Sequence, residues 1–252
     1  MKMSDQLVYI NSANKPEIHS GKSIKKMAEV SEYTDQDKDK RKIIYPEMRN
    51  RRVVNNFRDL RNGLIEKAEG KNLTIMVTSV AEGGGSSFVA VNLAAAFAFD
   101  QSRTSLIIDT NLSAPGLDKI FDIKDMPGVV NFIEDSGIGL EEIIYASGVK
   151  RMRVLPAGQR TEYASEYLGS TQMESLIENL KNRYNDRFII IDAPPLTDPA
   201  SARQIAKLSD KIVVVIPYGK ISGQELTVKL ALLPKEKIAG VLINNEAIIR
   251  QF

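Results

Sequence analysis

Leu73 to Phe99 reads LTIMVTSVAEGGGSSFVAVNLAAAFAF, a run that few folds accommodate. Leu73-Thr74-Ile75-Met76-Val77-Thr78 is short, apolar and rich in β-branched residues, the composition and length of a buried strand. Glu82-Gly83-Gly84-Gly85-Ser86-Ser87 is a glycine-rich turn. Phe88 to Phe99 is dense in alanine, as in a helix packed on several sides. Strand, glycine loop and helix in that order make a phosphate cradle. The glycines let the backbone turn tightly and aim N–H groups inward, and the helix N-terminus adds a positive dipole.

The loop departs from the usual phosphate-loop pattern, which ends G-K followed by Ser or Thr. Gly85 is in place and Ser87 can supply the metal-side hydroxyl, but Ser86 stands where the lysine belongs. No shift of register brings Lys71 or any other lysine into that slot. A flexible turn would also explain the same glycines and serines. The flanking strand and helix favour a phosphate-loop ancestry.

Composition excludes several chemistries. The 252 residues carry no cysteine, which removes disulfides, thiolate catalysis and cysteine metal sites. The single histidine, His19, sits in a polar stretch, so neither a histidine zinc site nor a Ser-His-Asp triad is expected. A formal charge of +2 does not suggest a nucleic-acid binder. No apolar run reaches the roughly 18 residues of a membrane span. The N-terminus lacks the apolar core of a signal peptide, and the chain reads as cytoplasmic.

Residues 1–48 read as a flexible polar tail, with a loose basic cluster of Lys40, Arg41, Lys42, Arg49, Arg51 and Arg52 at its end. A single α/β domain is expected over 49–252. Val53, Phe57, Leu60 and Leu64 fall on one stripe of an amphipathic helix from Val53 to Lys67. Beyond the loop, Ser105-Leu106-Ile107-Ile108 is a second strand ending in Asp109, and Phe188-Ile189-Ile190-Ile191 a third ending in Asp192. Ala193-Pro194-Pro195 stops that strand abruptly. Four hydrophobics and an aspartate have the form of a Walker B segment, whose acid supports Mg²⁺. Further helices are expected at 128–134, 140–145, 170–182, 198–208 and 225–233, with strands at 152–158, 211–216 and 238–243. Strands alternating with helices indicate an α/β fold: a mostly parallel sheet with helices on both faces.

Taken together, roughly Asn55 to Asn245 resembles the bacterial tyrosine kinases of capsule and exopolysaccharide synthesis, a P-loop family. The loop corresponds to Thr78 to Phe88, followed by Val91-Asn92-Leu93-Ala94. The Walker B motif I-I-D-x-P-P is intact from Ile190 to Pro195. Leu155-Pro156-Ala157-Gly158 and Gly240 to Asn244 also match in place. The resemblance implies ATP or ADP with Mg²⁺ as cofactors. It implies phosphate contacts from Gly83, Gly84, Gly85, Ser86, Ser87 and Phe88, and Asn244 near the adenine. Ser87, Asp109 and Asp192 would be the metal side, with Asp109 and Asp192 catalytic. Arg58 and Arg61 match the arginines of a motif used in ring-like self-association, so a homo-oligomer is implied. The implied partner is a membrane polysaccharide co-polymerase of the chain-length-determinant type, which would recruit the chain to the inner face of the membrane.

Three departures fall on the chemistry. Ser86 replaces the lysine, Asn111 replaces the second acid of the family's D-x-D motif, and no tyrosine follows Tyr218. The expectation is a kinase-like protein with a weak or absent autokinase activity. The alternatives are an active tyrosine kinase, with Tyr9, Tyr33, Tyr45 or a partner protein as targets and Lys220 or a basic residue of a neighbouring subunit as a substitute cation, and a ParA/MinD-like positioning ATPase. That last class carries a further lysine near the start of the loop, absent here.

Overall fold

The computed structural model describes residues 32–183 and 186–244. The expected tail over 1–31, with His19 and Tyr9, lies outside them. Seven strands form one sheet. They are β1 (Thr74–Ser79), β2 (Thr104–Asp109), β3 (Tyr145–Ala146), β4 (Met152–Leu155), β5 (Arg187–Asp192), β6 (Lys211–Pro217) and β7 (Ile238–Asn244). Their order is β3-β4-β2-β5-β1-β6-β7. Every pairing is parallel except the two-residue β3 against β4. β1, β2 and β5 are buried at every position, which is why they read as unbroken apolar runs.

Each face of the sheet carries its own core. Helix α1 (Asp35–Lys40) buries no residue and belongs to neither core. On one face lie α2 (Arg51–Glu66), α3 (Ser86–Ala98) and α4 (Leu117–Phe121). On the other lie α5 (Val129–Glu134), α6 (Leu140–Ile143), α7 (Ala164–Leu168), α8 (Thr171–Arg183), α9 (Pro199–Leu208) and α10 (Gly223–Leu230). Helix α3 is the centre of the first layer, buried at every residue from Val89 to Ala98. Its alanines let it lie close to the sheet, and Phe97 stacks on Phe188 of β5 at 4.3 Å between ring centroids. Val54, Phe57 and Leu64 of α2 are buried against it, with Val53 and Leu60 packed at the margin.

The stretch expected to be mobile up to residue 48 is in part ordered and packed. Thr34 and Asp37 form a capping box on α1. Ile43 and Ile44 are fully buried in the first core. The reason is Asn92, itself buried in α3. Its Oδ1 accepts from the Ile44 N–H at 2.7 Å, and its Nδ2 donates to the Lys42 carbonyl at 3.0 Å and the Phe88 carbonyl at 2.8 Å. One amide thereby straps residues 42–44 to the helix that follows the glycine loop. The expected helix at 140–145 stops at Ile143 and gives way to β3. The one at 225–233 spans Gly223–Leu230 instead, because Ser222 caps it reciprocally with Glu225.

Candidate functional site

β1 ends at Ser79 and α3 begins at Ser86, so the glycine loop sits at the C-terminal edge of the sheet beside its central strand. That is where open parallel sheets place ligands. Gly83 and Gly85 take the left-handed conformation, with φ of 63° and 91°. Gly84 is required by space: a Cβ there would lie 1.8 Å from Ser79 Oγ. At Gly85 it would lie 2.0 Å from Asn244 Nδ2. No side chain caps the first turn of α3, so its leading N–H groups face the loop. Asn244, the last residue of β7, donates its Nδ2 to the Gly84 carbonyl at 3.1 Å and so ties the loop to the far strand.

Asp109 and Asp192 are paired in register on β2 and β5, and both are buried. Asp109 Oδ1 accepts from the Asn111 N–H at 3.1 Å. Its Oδ2 accepts from the Gly116 and Leu117 N–H groups at 2.9 and 3.0 Å. It therefore braces the loop that enters α4. Burial pushes its pKa up to about 6 against those three hydrogen bonds, with Asp118 adding a smaller upward push. Asp192 differs: its Oδ1 is buried without a hydrogen-bond partner. Burial first, then the neighbouring Asp109 charge, raise its pKa well above the usual carboxylate range, while the Ser87 and Ser86 hydroxyls pull it down.

A cavity of about 520 Å³ lies over the loop. It is lined by Ala81 to Ser87 and by residues of the loops after β2 and β5, among them Asn111, Ser113, Thr197 and Asp198. No lysine or arginine lines it, and Lys220 is not among its residues. The charged side chains along it are Glu82 and Asp198. A phosphate thus fits the backbone cradle, and the orphaned Asp192 oxygen beside Ser87 fits a divalent cation. The side-chain cation that would neutralise a polyphosphate is missing. Among the described residues no group of three or more acidic or histidine side chains forms a metal cluster by itself.

The other expected site residues lie outside this cavity. Phe88 turns its ring to Phe57 of α2, edge to face at 6.0 Å. Arg61 Nη1 donates to the Ala96 carbonyl at 3.0 Å, and the Arg58 guanidinium lies 5.8 Å from the centre of the Phe99 ring. Sequence reasoning missed Arg151, the strap role of Asn92 and the place of Asp198 along the cavity. Arg151 donates twice to the Ala98 carbonyl, at 3.1 and 2.8 Å, and caps the other end of α3. The helix expected from Asp198 is present, with Asp198 as its cap: its Oδ1 accepts from the Ser201 N–H.

A mostly parallel sheet in which the strand next to the central one runs through a glycine loop into a helix N-terminus, while the central strand ends in an aspartate, defines a P-loop NTPase fold. No protein-family model matches the chain. It is 30% identical over 175 residues to the tyrosine-protein kinase YwqD of Bacillus subtilis (strain 168), spanning 69% of this chain and 72% of that one. The chain belongs to the bacterial tyrosine-protein kinase family. It is also 27% identical to the succinoglycan biosynthesis transport protein ExoP of Rhizobium meliloti (strain 1021), over 70% of this chain but 23% of ExoP. Among solved structures, the BceF tyrosine kinase domain aligns with a TM-score of 0.66 and 26% identity, over 75% of this chain and 76% of that one. The septum site-determining protein MinD of Pyrococcus horikoshii OT3, complexed with Mg-ADP, shares the fold at a TM-score of 0.52 and 22% identity, over 68% of this chain and 67% of MinD. Among the described residues no helix is long and apolar enough to cross a membrane.

Proposed function

We propose that this chain is a kinase-like protein of exopolysaccharide or capsule assembly whose tyrosine autokinase activity is weak or lost. It acts by binding a membrane polysaccharide co-polymerase from the cytoplasmic side and regulating polymerisation or export. The observation that carries this reading is the cavity over the loop, which has Ser86 in the lysine position and no basic side chain along its lining. Phosphoryl transfer depends on positioning and on neutralising charge. Loss of one transition-state donor costs about 10²–10³ in rate. Asn111 compounds the loss. The polysaccharide part of the reading is supported by ExoP, a succinoglycan biosynthesis transport protein in which the matching region is 23% of a larger chain.

In this reading the backbone of Gly83 to Phe88 holds nucleotide phosphate, and Asn244 borders the adenine. Ser87 and Asp192 face the metal, and Asp109 orders the neighbouring loop. Bound Mg²⁺ would supply the positive charge that the side chains do not. The test is calorimetric titration of Mg-ATP and Mg-ADP into the natural protein beside Ser86→Lys. Absent or weak binding that Ser86→Lys restores supports the reading. Autophosphorylation of the natural protein, abolished by Asp192→Asn, overturns it.

One observation favours the active-kinase reading: the orphaned Asp192 oxygen is retained beside Ser87. Two of its expected targets fit poorly, and the third, Tyr9, lies outside the described residues. The Tyr45 hydroxyl is engaged by Asp39 and the Tyr33 hydroxyl by the Phe121 carbonyl. Tyr163 and Tyr218 are the exposed tyrosines among the described residues.

A further inference from the structure

The cavity over the glycine loop has two unlike walls. The first is the loop itself, Ala81 to Ser87, leading into the uncapped first turn of α3. Backbone N–H groups in such a loop cradle the α and β phosphates of a nucleotide. The second wall is Asn111, Ser113 and Ala114 from the loop after β2, with Pro195, Thr197 and Asp198 from the loop after β5. Where a phosphate loop carries its lysine, the ammonium reaches the β and γ phosphates. It thereby serves the phosphate that lies beyond the cradle. Here Ser86 holds that position, and the second wall offers no cation. Its charged residue is an acid, Asp198. That carboxylate is fixed in place as the cap of α9, with Oδ1 accepting from the Ser201 N–H at 3.3 Å. Asp198 has no ion-pair partner among the described residues. Lys229 of α10 reaches the same loop, but it donates to the Leu196 carbonyl at 3.2 Å and does not line the cavity.

We propose that this site selects the nucleoside diphosphate: it holds Mg-ADP in preference to Mg-ATP, and Asp198 sets the difference. The inference rests on the reading of the loop as a nucleotide-phosphate site. A third phosphate adds negative charge to a cavity whose second wall carries a carboxylate and no cation. Like charges brought together cost affinity, and a repulsive element of this kind builds specificity. Mg-ADP requires only the cradle and the metal side. Both are kept, as the N–H groups of the loop, Ser87 and the orphaned Asp192 oxygen. Glu82 belongs to the loop itself, so its charge bears on both nucleotides. A protein that regulates by binding then presents its partner with a single nucleotide state instead of alternating between two.

The test is competitive titration of Mg-ADP and a non-hydrolysable Mg-ATP analogue into the full chain, at low and high salt. Mg-ADP is expected to bind about tenfold more tightly than the analogue at low salt. Added salt screens the carboxylate and should narrow that ratio. Asp198→Asn keeps the helix cap, because asparagine caps as well as aspartate does. It should bring the ratio to within about threefold, by raising affinity for the analogue more than affinity for Mg-ADP. Ser86→Lys should narrow the ratio too, by supplying the missing cation. Equal or tighter binding of the analogue to the natural protein overturns the inference and leaves the nucleotide site standing. A ratio that moves neither with salt nor with Asp198→Asn overturns the part assigned to Asp198. Failure to bind either nucleotide at millimolar concentration overturns the inference but spares the proposed function, in which nucleotide binding is weak or absent.

Discussion

Asp109 and Asp192 sit opposite one another at the ends of adjacent parallel strands, yet their carboxylates are spent differently. Asp109 has both oxygens committed to three backbone N–H groups, whereas Asp192 keeps a buried oxygen without a partner. Two buried acids in contact cannot both ionise cheaply. The folded state therefore holds their protons to higher pH than the unfolded chain does.

That difference fixes the sign of a pH effect. Both pKa values are raised in the fold, Asp109 to about 6 and Asp192 well above the usual carboxylate range. Between the unfolded carboxylate value and these raised values the native state binds more protons, so stability falls as pH rises through that window. Asp192→Asn removes one of the two charges at nearly constant shape. It is expected to stabilise the protein at pH 8, with the gain shrinking towards pH 4. Urea unfolding at a series of pH values measures it. A variant less stable than the natural protein at pH 8 would show that Asp192 is retained for stability.

The loop offers a second prediction, through the closeness of Gly85 and Asn244. Gly85→Ala places a methyl 2.0 Å from Asn244 Nδ2 in a backbone at φ 91°, so it should destabilise the protein. The double variant with Asn244→Ala removes the collision but keeps the left-handed strain of roughly 1–2 kcal/mol. The two substitutions should therefore couple favourably by about 0.5–3 kcal/mol in a double-mutant cycle. Simple additivity would mean that Asn244 does not rest against the loop in solution.

The strap over α3 makes a third. Asn92→Ala strands the Ile44 N–H, now bonded at 2.7 Å, inside the core. The cost of that group alone is roughly 1–3 kcal/mol. Asn92→Asp should not rescue it, because a carboxylate cannot donate to the Lys42 and Phe88 carbonyls and would be buried as a charge. Hydrogen exchange at Ile43 and Ile44 should quicken in both variants. Unchanged protection there would mean that the segment is held by its isoleucines alone.

What the sequence disclosed and what it concealed divide along contact range. β1, β2 and β5 were legible because a strand buried on both faces is a continuous apolar run. The glycine loop was legible because left-handed backbone and close approach leave few residues to choose from. The strap was hidden because Ile43 and Ile44 sit in a polar stretch and find their partner at Asn92, nearly fifty residues on. The division of labour between the two aspartates was hidden as well. Both end apolar strands, and only the chain path at Gly116 and Leu117 shows which is already satisfied. Phe88 was placed by its position beside the loop, but an apolar ring at a half-buried helix face packs on Phe57 instead.

Arg61 supplies the last prediction, because its pairing bears on the proposed self-association role of the two arginines. Its guanidinium is half-buried, burial lowers its pKa, and Nη1 closes on the Ala96 carbonyl in the last turn of α3. Positive charge at a helix C-terminus is favourable, and the guanidinium adds a second donor to a carbonyl that otherwise accepts only a long bond from the Phe99 N–H at 3.4 Å. Arg61→Ala is expected to cost about 0.5–1.5 kcal/mol in dilute protein, where no second copy is bound. Arg58, over the Phe99 ring at 5.8 Å, should cost less when changed to alanine. Melting curves at submicromolar concentration separate the roles. A loss at Arg61 that is independent of concentration marks an intramolecular brace for α3. A loss that appears only as concentration rises would assign the arginine to contact between copies.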